Sequence, residues 1–161
     1  MLLIALPSHL AMSPAQPFGS PCACSRLRRA ARAITQLYDD ALAPTGLRVT
    51  QLSLLRTLQR RGPMRIGELA TVNLLDRTAL SRNLDPLAAR KLVAIVPGRD
   101  ARTREVTLTR QGTAALASAA PLWDHAQRNV TRRIGRNRLD ELYGVLQEIE
   151  ALHPSPAGTT A

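Results

Sequence analysis

Apolar residues recur every three or four positions along most of the chain, which is the period of an α-helix with one buried face. The pattern predicts a first helix over about Cys24–Ala43 and a second over about Thr50–Arg61. Pro44 and Gly46 end the first helix, and Gly62-Pro63 ends the second. The chain therefore begins its ordered part with two helices.

Two further helices follow with a tight turn between them. Arg65–Val72 reads as a short helix, in which we expect Ile66, Leu69 and Ala70 to be buried. Asn73–Leu75 makes the turn, and Asp76 can accept a hydrogen bond from the next free amides as an N-cap. A short helix, a turn and a second helix together indicate a helix-turn-helix.

The second helix of this pair has two different faces. Its apolar stripe consists of Leu80, Leu84 and Leu87. Its outer face carries two guanidiniums and two hydroxyls, on Arg77, Thr78, Ser81 and Arg82. Arginine can read guanine bidentately, hydroxyls can contact bases or phosphates, and a helix N-terminus favours phosphate. The face is typical of a DNA recognition helix; an amphipathic helix with a merely solvated face is the alternative.

A β-hairpin is predicted directly after this helix. Leu92–Pro97 is a β-branched run, Gly98–Thr103 is polar and turn-forming, and Arg104–Thr109 alternates between apolar and polar positions. Its tip and flanks carry the basic side chains of Arg99, Arg102 and Arg104. A helix-turn-helix with an arginine-tipped hairpin indicates a winged helix. The expected fold is mainly α with a small β-hairpin wing.

The remaining helices lie outside this winged core. Helical periodicity runs over about Arg110–Arg136, where Pro121 predicts a kink or a break, and resumes with an apolar stripe over Leu139–Leu152. The stripes of these helices and of the first helix must be buried. They can pack on one another, but a second chain is the more economical answer. We therefore expect dimerisation helices on both sides of the core, in a homodimer.

Charge and composition favour duplex DNA as the partner. The formal net charge is +10, which suggests a polyanion. Aromatic residues make up only 2% of the chain, so the stacking platforms of RNA and single-strand binders are missing. A sequence-indifferent architectural DNA binder remains the main alternative. A basic helix on a membrane surface is weaker, because bulky interfacial aromatics do not back the arginines of the first helix.

Other classes of function find little support. The three histidines have no metal-ligand spacing, and neither a phosphate-binding glycine loop nor a nucleophile elbow is present, so we expect no enzyme, metal or cofactor. Two cysteines make no disulfide scaffold, which suggests a reducing cytoplasm. Residues 1–23 are expected to be a disordered leader, with Met12 as an alternative start, and residues 153–161 a disordered tail.

The order of elements and several motifs resemble the MarR family of bacterial transcriptional regulators over about residues 24–152, with the winged helix at about 48–110 and dimerisation helices at about 24–43 and 110–152. The matching segments are RRAARAITQLYDDAL, GELA, LDRTALSRNL and DARTREVTLTRQG. The resemblance implies a homodimer on a pseudo-palindromic operator, usually a repressor released by a ligand or by oxidation. Arg102 would enter the minor groove, and Asp100 would hold the wing arginine or a neighbouring basic residue in place. We expect Arg99 and Arg104 to contact phosphates.

Two features depart from the family pattern, and two others suggest what could regulate DNA binding. Pro86 lies inside the recognition helix, where it predicts a kink, and no glycine precedes the first wing strand. Cys24 falls where the OhrR peroxide sensors of this family keep a reactive cysteine, with Cys22 beside it, although the tyrosines that support the thiol in those sensors are missing here. An incidental thiol is the alternative. Candidate residues for a small-molecule pocket are Tyr38, Trp123 and His125, each of which is also explained by ordinary packing or solvation.

Overall fold

The computed structural model of the chain describes residues 22–98 and 103–153. Its helices are α1 (Ala23–Leu42), α2 (Val49–Arg61), α3 (Ile66–Val72), α4 (Arg77–Ala89), α5 (Arg110–Ile134) and α6 (Arg136–Ala151). Its strands are β1 (Met64–Arg65), β2 (Val93–Pro97) and β3 (Arg104–Leu108). The connector (residues 43–48) joins α1 to α2 and begins with a 3-10 turn over Ala43–Thr45.

The chain divides into two compact units between residues 34 and 35. In the first unit the described residues are 22–34, which contain the first part of α1, and their side chains are exposed apart from the half-buried Leu27. The second unit contains the end of α1 and all the other elements. The mainly helical fold with a small hairpin is as the sequence predicts.

The sheet has three strands in the order β1–β3–β2, and both pairings are antiparallel. The hairpin of β2 and β3 confirms the predicted wing. The short strand β1 was not predicted. Met64 pairs with Val106 of β3, and both side chains are buried. A strand of two residues is too short to show a periodic pattern in the sequence. It forms because it pairs with a strand about forty positions away.

The predicted helical faces are largely confirmed. The inward residues of α2 are Leu52, Leu55 and Leu58, and those of α4 are Leu80, Leu84 and Leu87; all six are buried. In α3, Leu69 and Ala70 are buried, but Ile66 is only half-buried because it begins the helix next to β1. These residues form one cluster with the inner side of the sheet and with Leu116 and Ala119 of α5.

The prolines interrupt neither helix that contains them. Helix α4 runs through Pro86, and α5 runs from Arg110 to Ile134 through Pro121, so the break allowed for at Pro121 is wrong. A proline removes only one backbone donor. In α5, Leu116 and Ala119 are buried before Pro121, and Ala126 and Val130 are buried after it. Packing on both sides therefore holds the helix together.

A lysine replaces the missing glycine before the first wing strand. Lys91 has a φ of 57°, the left-handed region that glycine adopts at little cost. The Lys91 N–H donates to the Ala88 carbonyl at 2.9 Å, and the Leu92 N–H donates to the Leu87 carbonyl at 2.9 Å. This is the Schellman arrangement, with Leu92 and Leu87 both in the core. The buried Leu92 holds the chain in this turn without glycine.

Candidate nucleic-acid interface

One face of the recognition helix α4 packs on the core, and the opposite face is exposed to solvent. Its buried leucine stripe packs on the core, and Asp76 caps its start, where Oδ1 accepts from the Ala79 N–H at 2.7 Å. The predicted contact residues Arg77, Thr78, Ser81 and Arg82 are exposed. None of these four side chains makes a hydrogen bond or an ion pair within the described part of the chain. The structure thus brings them together on one open face.

The turn before α4 is held by polar contacts from α2. Thr57 is 3% exposed, and its hydroxyl lies 3.0 Å from the Ser53 carbonyl and 3.3 Å from Asn73 Oδ1. Asn73 Nδ2 in turn donates to the Leu69 carbonyl at 2.8 Å. Leu74 then takes a φ of 51°, and its N–H donates to the Thr71 carbonyl. These contacts fix where α3 ends and where α4 begins.

A second polar contact joins α2 to α4 directly. The Thr50 hydroxyl donates to Asn83 Oδ1 at 2.8 Å, and Asn83 Nδ2 donates to the Ala79 carbonyl at 2.8 Å. The sequence does not predict this pair because the two residues are 33 positions apart. The start of α2 therefore lies beside the recognition helix.

The base of the wing is described, but its tip is not. The Gly98 N–H donates to the Thr103 carbonyl at 2.9 Å and closes the hairpin. Arg104 is exposed and pairs with Pro97 across the two strands. The other three predicted wing contacts, Arg99, Asp100 and Arg102, lie outside the described residues. Their roles stay predictions.

Most of the basic charge in the described regions is unpaired. In residues 22–98 and 103–153 the ion pair within 4 Å is Arg48 with Asp39, at 3.8 Å. Asp39 also accepts from the Val49 N–H at 2.7 Å and so caps the start of α2. Within the described residues, Arg77, Arg82 and Arg104 form no ion pair at that distance. A positively charged surface of this kind attracts the phosphates of DNA.

Aromatic and polar side chains link the long helices. The ring centroids of Tyr38 and Trp123 are 6.3 Å apart, and the Arg56 guanidinium lies 4.3 Å from the Trp123 ring centroid. The Tyr38 hydroxyl donates to Gln127, whose Nε2 donates to the Tyr143 hydroxyl at 3.2 Å. Burial, and then the nearby Tyr143, raise the pKa of Tyr38. Tyr38 is therefore a neutral hydrogen-bonding group at neutral pH.

A cavity of about 290 Å³ lies between α2 and α5. Trp123, Arg56 and Gln59 line it together with Leu116. Of the three predicted pocket residues, Trp123 lies in this cavity and Tyr38 lies behind it against the Trp123 ring. His125 is exposed and lines a different groove. The structure therefore brings two of the three together and adds Arg56, which sequence analysis missed.

Both predicted redox residues are exposed free thiols. Cys22 precedes the first residue of α1, and its carbonyl accepts from the Arg26 N–H at 3.1 Å. The backbone N–H of Ser25, and then its hydroxyl, hydrogen-bond to the thiol and lower the pKa of Cys22. Thiolate is the reactive form of cysteine. The folded chain thus lowers the pKa of Cys22, whereas the sequence pointed first to Cys24.

Two features that other functions require are missing from the described residues. No helix among them is long and apolar enough to cross a membrane. They also contain no group of three His, Cys, Asp or Glu side chains placed to hold a metal ion.

A helix-turn-helix with an exposed polar recognition helix, followed by a hairpin with a basic flank, defines a winged-helix DNA-binding protein. The sequence model described as the MarR family matches residues 45–103. The transcriptional regulator MosR of M. tuberculosis, solved in complex with DNA, is 40% identical, with a TM-score of 0.72 over 83% of this chain and 100% of that one. A second MosR structure is 36% identical, with a TM-score of 0.70 over 81% and 96%. The chain belongs to the MarR family of DNA-binding transcriptional regulators.

The same fold extends to more distant structures. A mutant of E. coli MarR complexed with operator DNA is 22% identical, with a TM-score of 0.71 over 78% of this chain and 91% of that one. A comparison with curated proteins finds no match. Since members of this family are transcriptional regulators, the chain is a regulator and not an enzyme.

Proposed function

We propose that this protein is a homodimeric repressor that binds a pseudo-palindromic operator in bacterial cytoplasm. The observation that carries the proposal is the face of α4. Two guanidiniums and two hydroxyls are exposed there, while the opposite leucine stripe is buried, and MosR, the 40% identical relative, was solved with DNA. A face of this composition can contact base edges in the major groove.

The exposed apolar surface of α6 supports the dimer. Leu139 is the one buried residue of this helix. The large apolar side chains that remain exposed on it or just after it are Leu142, Tyr143, Val145 and Leu152. Several exposed large apolar side chains on one helix are usually covered by a partner. A second copy that covers it would place two recognition helices on one side of the DNA, with half-sites about ten base pairs apart.

The contact residues are proposed to have different roles. On α4 the major-groove set is Arg77, Thr78, Ser81 and Arg82. In the wing, Arg102 enters the minor groove, and Asp100 holds Arg102 or a neighbouring basic residue in place. Arg99 and Arg104 contact phosphates. Base contacts confer sequence preference, whereas phosphate contacts add affinity to every duplex.

The test is a titration of the purified protein against its own upstream intergenic DNA and against a scrambled duplex of equal length, at one moderate salt concentration. We expect a preference of about a thousandfold or more for the native sequence. Footprinting of the bound duplex then gives the half-sites. Equal binding to both duplexes, with a steep salt dependence, would favour the architectural alternative and overturn the repressor proposal.

The cavity between α2 and α5 is the proposed site of a small-molecule effector. Arg56 supplies a positive charge, Trp123 supplies an aromatic wall, and Leu116 makes part of the lining apolar. A small aromatic anion with its carboxylate at Arg56 matches this part of the lining, and Asp124 lines the same cavity. Benzoate is a suitable probe, with neutral benzamide as its matched control. Benzoate should raise the melting temperature of the wild-type protein but not that of Arg56→Gln, and equal effects of both compounds would count against the site.

Oxidation of a thiol is the second proposed signal, favoured by the lowered pKa and the exposure of Cys22. Peroxide converts such a thiolate to a sulfenic acid, which a second thiol can resolve as a disulfide. DNA binding by the wild-type protein should weaken after peroxide treatment and recover with a thiol reductant. Both Cys22→Ser and Cys24→Ser are measured beside it. Unchanged peroxide sensitivity in both variants would eliminate the thiols as sensors.

A further inference from the structure

Arg90 makes a contact that the DNA-reading role of α4 does not use. Arg90 is the C-cap residue of α4, and its side chain turns away to the connector. Its Nη1 donates to the Gly46 carbonyl at 2.7 Å, and its Nη2 donates to the Thr45 carbonyl at 3.0 Å. A guanidinium holds two acceptors at once because its donors are arranged in a rigid fork. Arg90 is therefore a two-point link between the recognition helix and a segment 44 residues earlier.

The connector is shaped to receive this side chain. Gly46 has a φ of 66°, a conformation that glycine adopts at least cost, and both its carbonyl and that of Thr45 accept from Arg90. A Cβ at Gly46 would lie 3.4 Å from Arg90 Nη1, which is an ordinary van der Waals contact. A larger residue there would thus strain the backbone because of the positive φ.

The connector is itself firmly attached to the end of α1. The Thr45 hydroxyl donates to the Leu42 carbonyl at 2.7 Å and accepts from the Leu47 N–H at 3.2 Å. Leu42 and Leu47 are both buried in the core. A displacement of the connector should therefore also displace residues 35–42 of α1, because hydrogen bonds and buried side chains hold the two segments together.

From this geometry we infer that Arg90 is a positioning residue that makes the dimer selective for the spacing of its half-sites. The inference rests on the proposed homodimer, in which α1 is a dimerisation helix. In that dimer each recognition helix has a fixed place relative to the dimer axis because Arg90 ties its C-terminal end to the end of α1. The distance and angle between the two recognition helices are then set by the protein and not by the DNA.

Spacing selectivity has a clear physical basis. Each added base pair moves one half-site by about 3.4 Å and rotates it by about 35°, because one turn of B-DNA holds about ten base pairs. A rigid dimer cannot adjust the distance and angle between its recognition helices, so one helix loses contacts with its half-site. A dimer with loosely attached recognition helices follows it and discriminates less.

The experiment uses the footprinted operator and versions with one or two base pairs added or removed between the half-sites. Affinities for the full set are measured with the wild-type protein, Arg90→Ala and Arg90→Lys. Lys91→Ala is the matched control: it removes one positive charge at the next position, and no hydrogen bond of the Lys91 side chain is present in the described regions. A general loss of phosphate attraction affects both alanine variants alike.

We expect the wild-type protein and Lys91→Ala to discriminate strongly against altered spacings. Arg90→Ala should reduce the ratio of native-spacing to altered-spacing affinity by about 2- to 30-fold, as is usual when a coupling residue is removed. Arg90→Lys should fall between them, because an ammonium cannot hold both carbonyls in the same way. It also gives a folded variant to measure if Arg90→Ala does not fold.

The outcomes separate this inference from the function on which it rests. If the wild-type protein discriminates and the folded Arg90 variants discriminate as strongly, the positioning role is wrong and the dimeric regulator stands. If the wild-type protein binds all spacings equally, the symmetric operator itself is refuted, and the role of Arg90 with it. A loss of discrimination shared by Lys91→Ala would show an effect of charge alone and would also overturn the inference.

Discussion

Replacing Gly112 by alanine should destabilise the junction between the wing and α5. Gly112 is buried in the first turn of α5, and its N–H donates to Thr109 Oγ1 at 3.0 Å. A Cβ built at Gly112 would lie 2.1 Å from the Leu92 carbonyl oxygen and 2.7 Å from Leu108 Cδ1. The leucine side chain can turn away, but the carbonyl belongs to the backbone. Helix and strand would have to separate by about 1 Å.

The Leu92 carbonyl is not free to move. It accepts from the Thr109 N–H at 3.1 Å, and the Thr109 hydroxyl, which donates to the Lys91 carbonyl at 2.7 Å, lies 3.1 Å from it. Overpacking costs about 1–3 kcal/mol, and each weakened hydrogen bond costs about 1 kcal/mol. The better helix propensity of alanine returns about 1 kcal/mol. We therefore expect a net loss of about 2–4 kcal/mol in the free energy of unfolding, or roughly 5–15 °C in melting temperature.

The matched control is Gly67→Ala. Gly67 is an exposed glycine inside α3, with no atom within 4 Å of the added Cβ, so alanine should stabilise the protein by about 0.5–1 kcal/mol. Both variants are melted at one fixed protein concentration, because the proposed dimerisation would make the melting temperature depend on concentration. If Gly112→Ala were as stable as Gly67→Ala, the close approach of Leu92 to α5 would be refuted.

Three further predictions concern the recognition face, the helix end and the thiol. Arg82→Ala should reduce the preference for operator over random DNA, whereas Arg104→Ala should weaken both about equally; indistinguishable ratios in a competition assay would refute this division of roles. Lys91→Gly should be about 0.5–1 kcal/mol more stable than Lys91→Ala in denaturant unfolding, because only glycine relieves the positive φ, and equal stabilities would contradict the turn. In a Cys24→Ser background, the rate of Cys22 alkylation should rise with pH around a lower midpoint in the native protein than in urea, because the folded state lowers the pKa of this thiol. Coincident midpoints would show that the Ser25 contacts do not lower this pKa.

Several features of the fold follow from residues that are close in sequence. Asp76 caps α4 three residues ahead of the amide it binds, so the cap and the start of the helix can be predicted from the local sequence. The leucine stripe of α4 and the alternation in β3 are periodic over a few residues, and they predict which face is buried. The family resemblance then added the pseudo-palindromic operator and the roles of Asp100 and Arg102 in the wing. No local signal carries those.

The wrong and missed predictions share one physical origin. Pro121 breaks an isolated helix, but in this protein buried side chains before and after it keep α5 continuous. Lys91 takes a conformation that sequence reasoning reserves for glycine, because the buried Leu92 determines where the chain must turn. In both cases tertiary packing outweighs a local preference of a few kcal/mol.

The sequence by itself determined the helices, the wing hairpin, the recognition face and the basic charge, because each depends on residues within one or two turns of one another. Only the tertiary structure decided that Met64 adds a third strand, that Arg56 lies over Trp123, that Gly112 touches Leu92 and that Arg90 holds the connector. These contacts join residues from twenty to nearly seventy positions apart. The packing of the whole domain determines which of these residues meet, and their spacing along the chain does not predict the contacts.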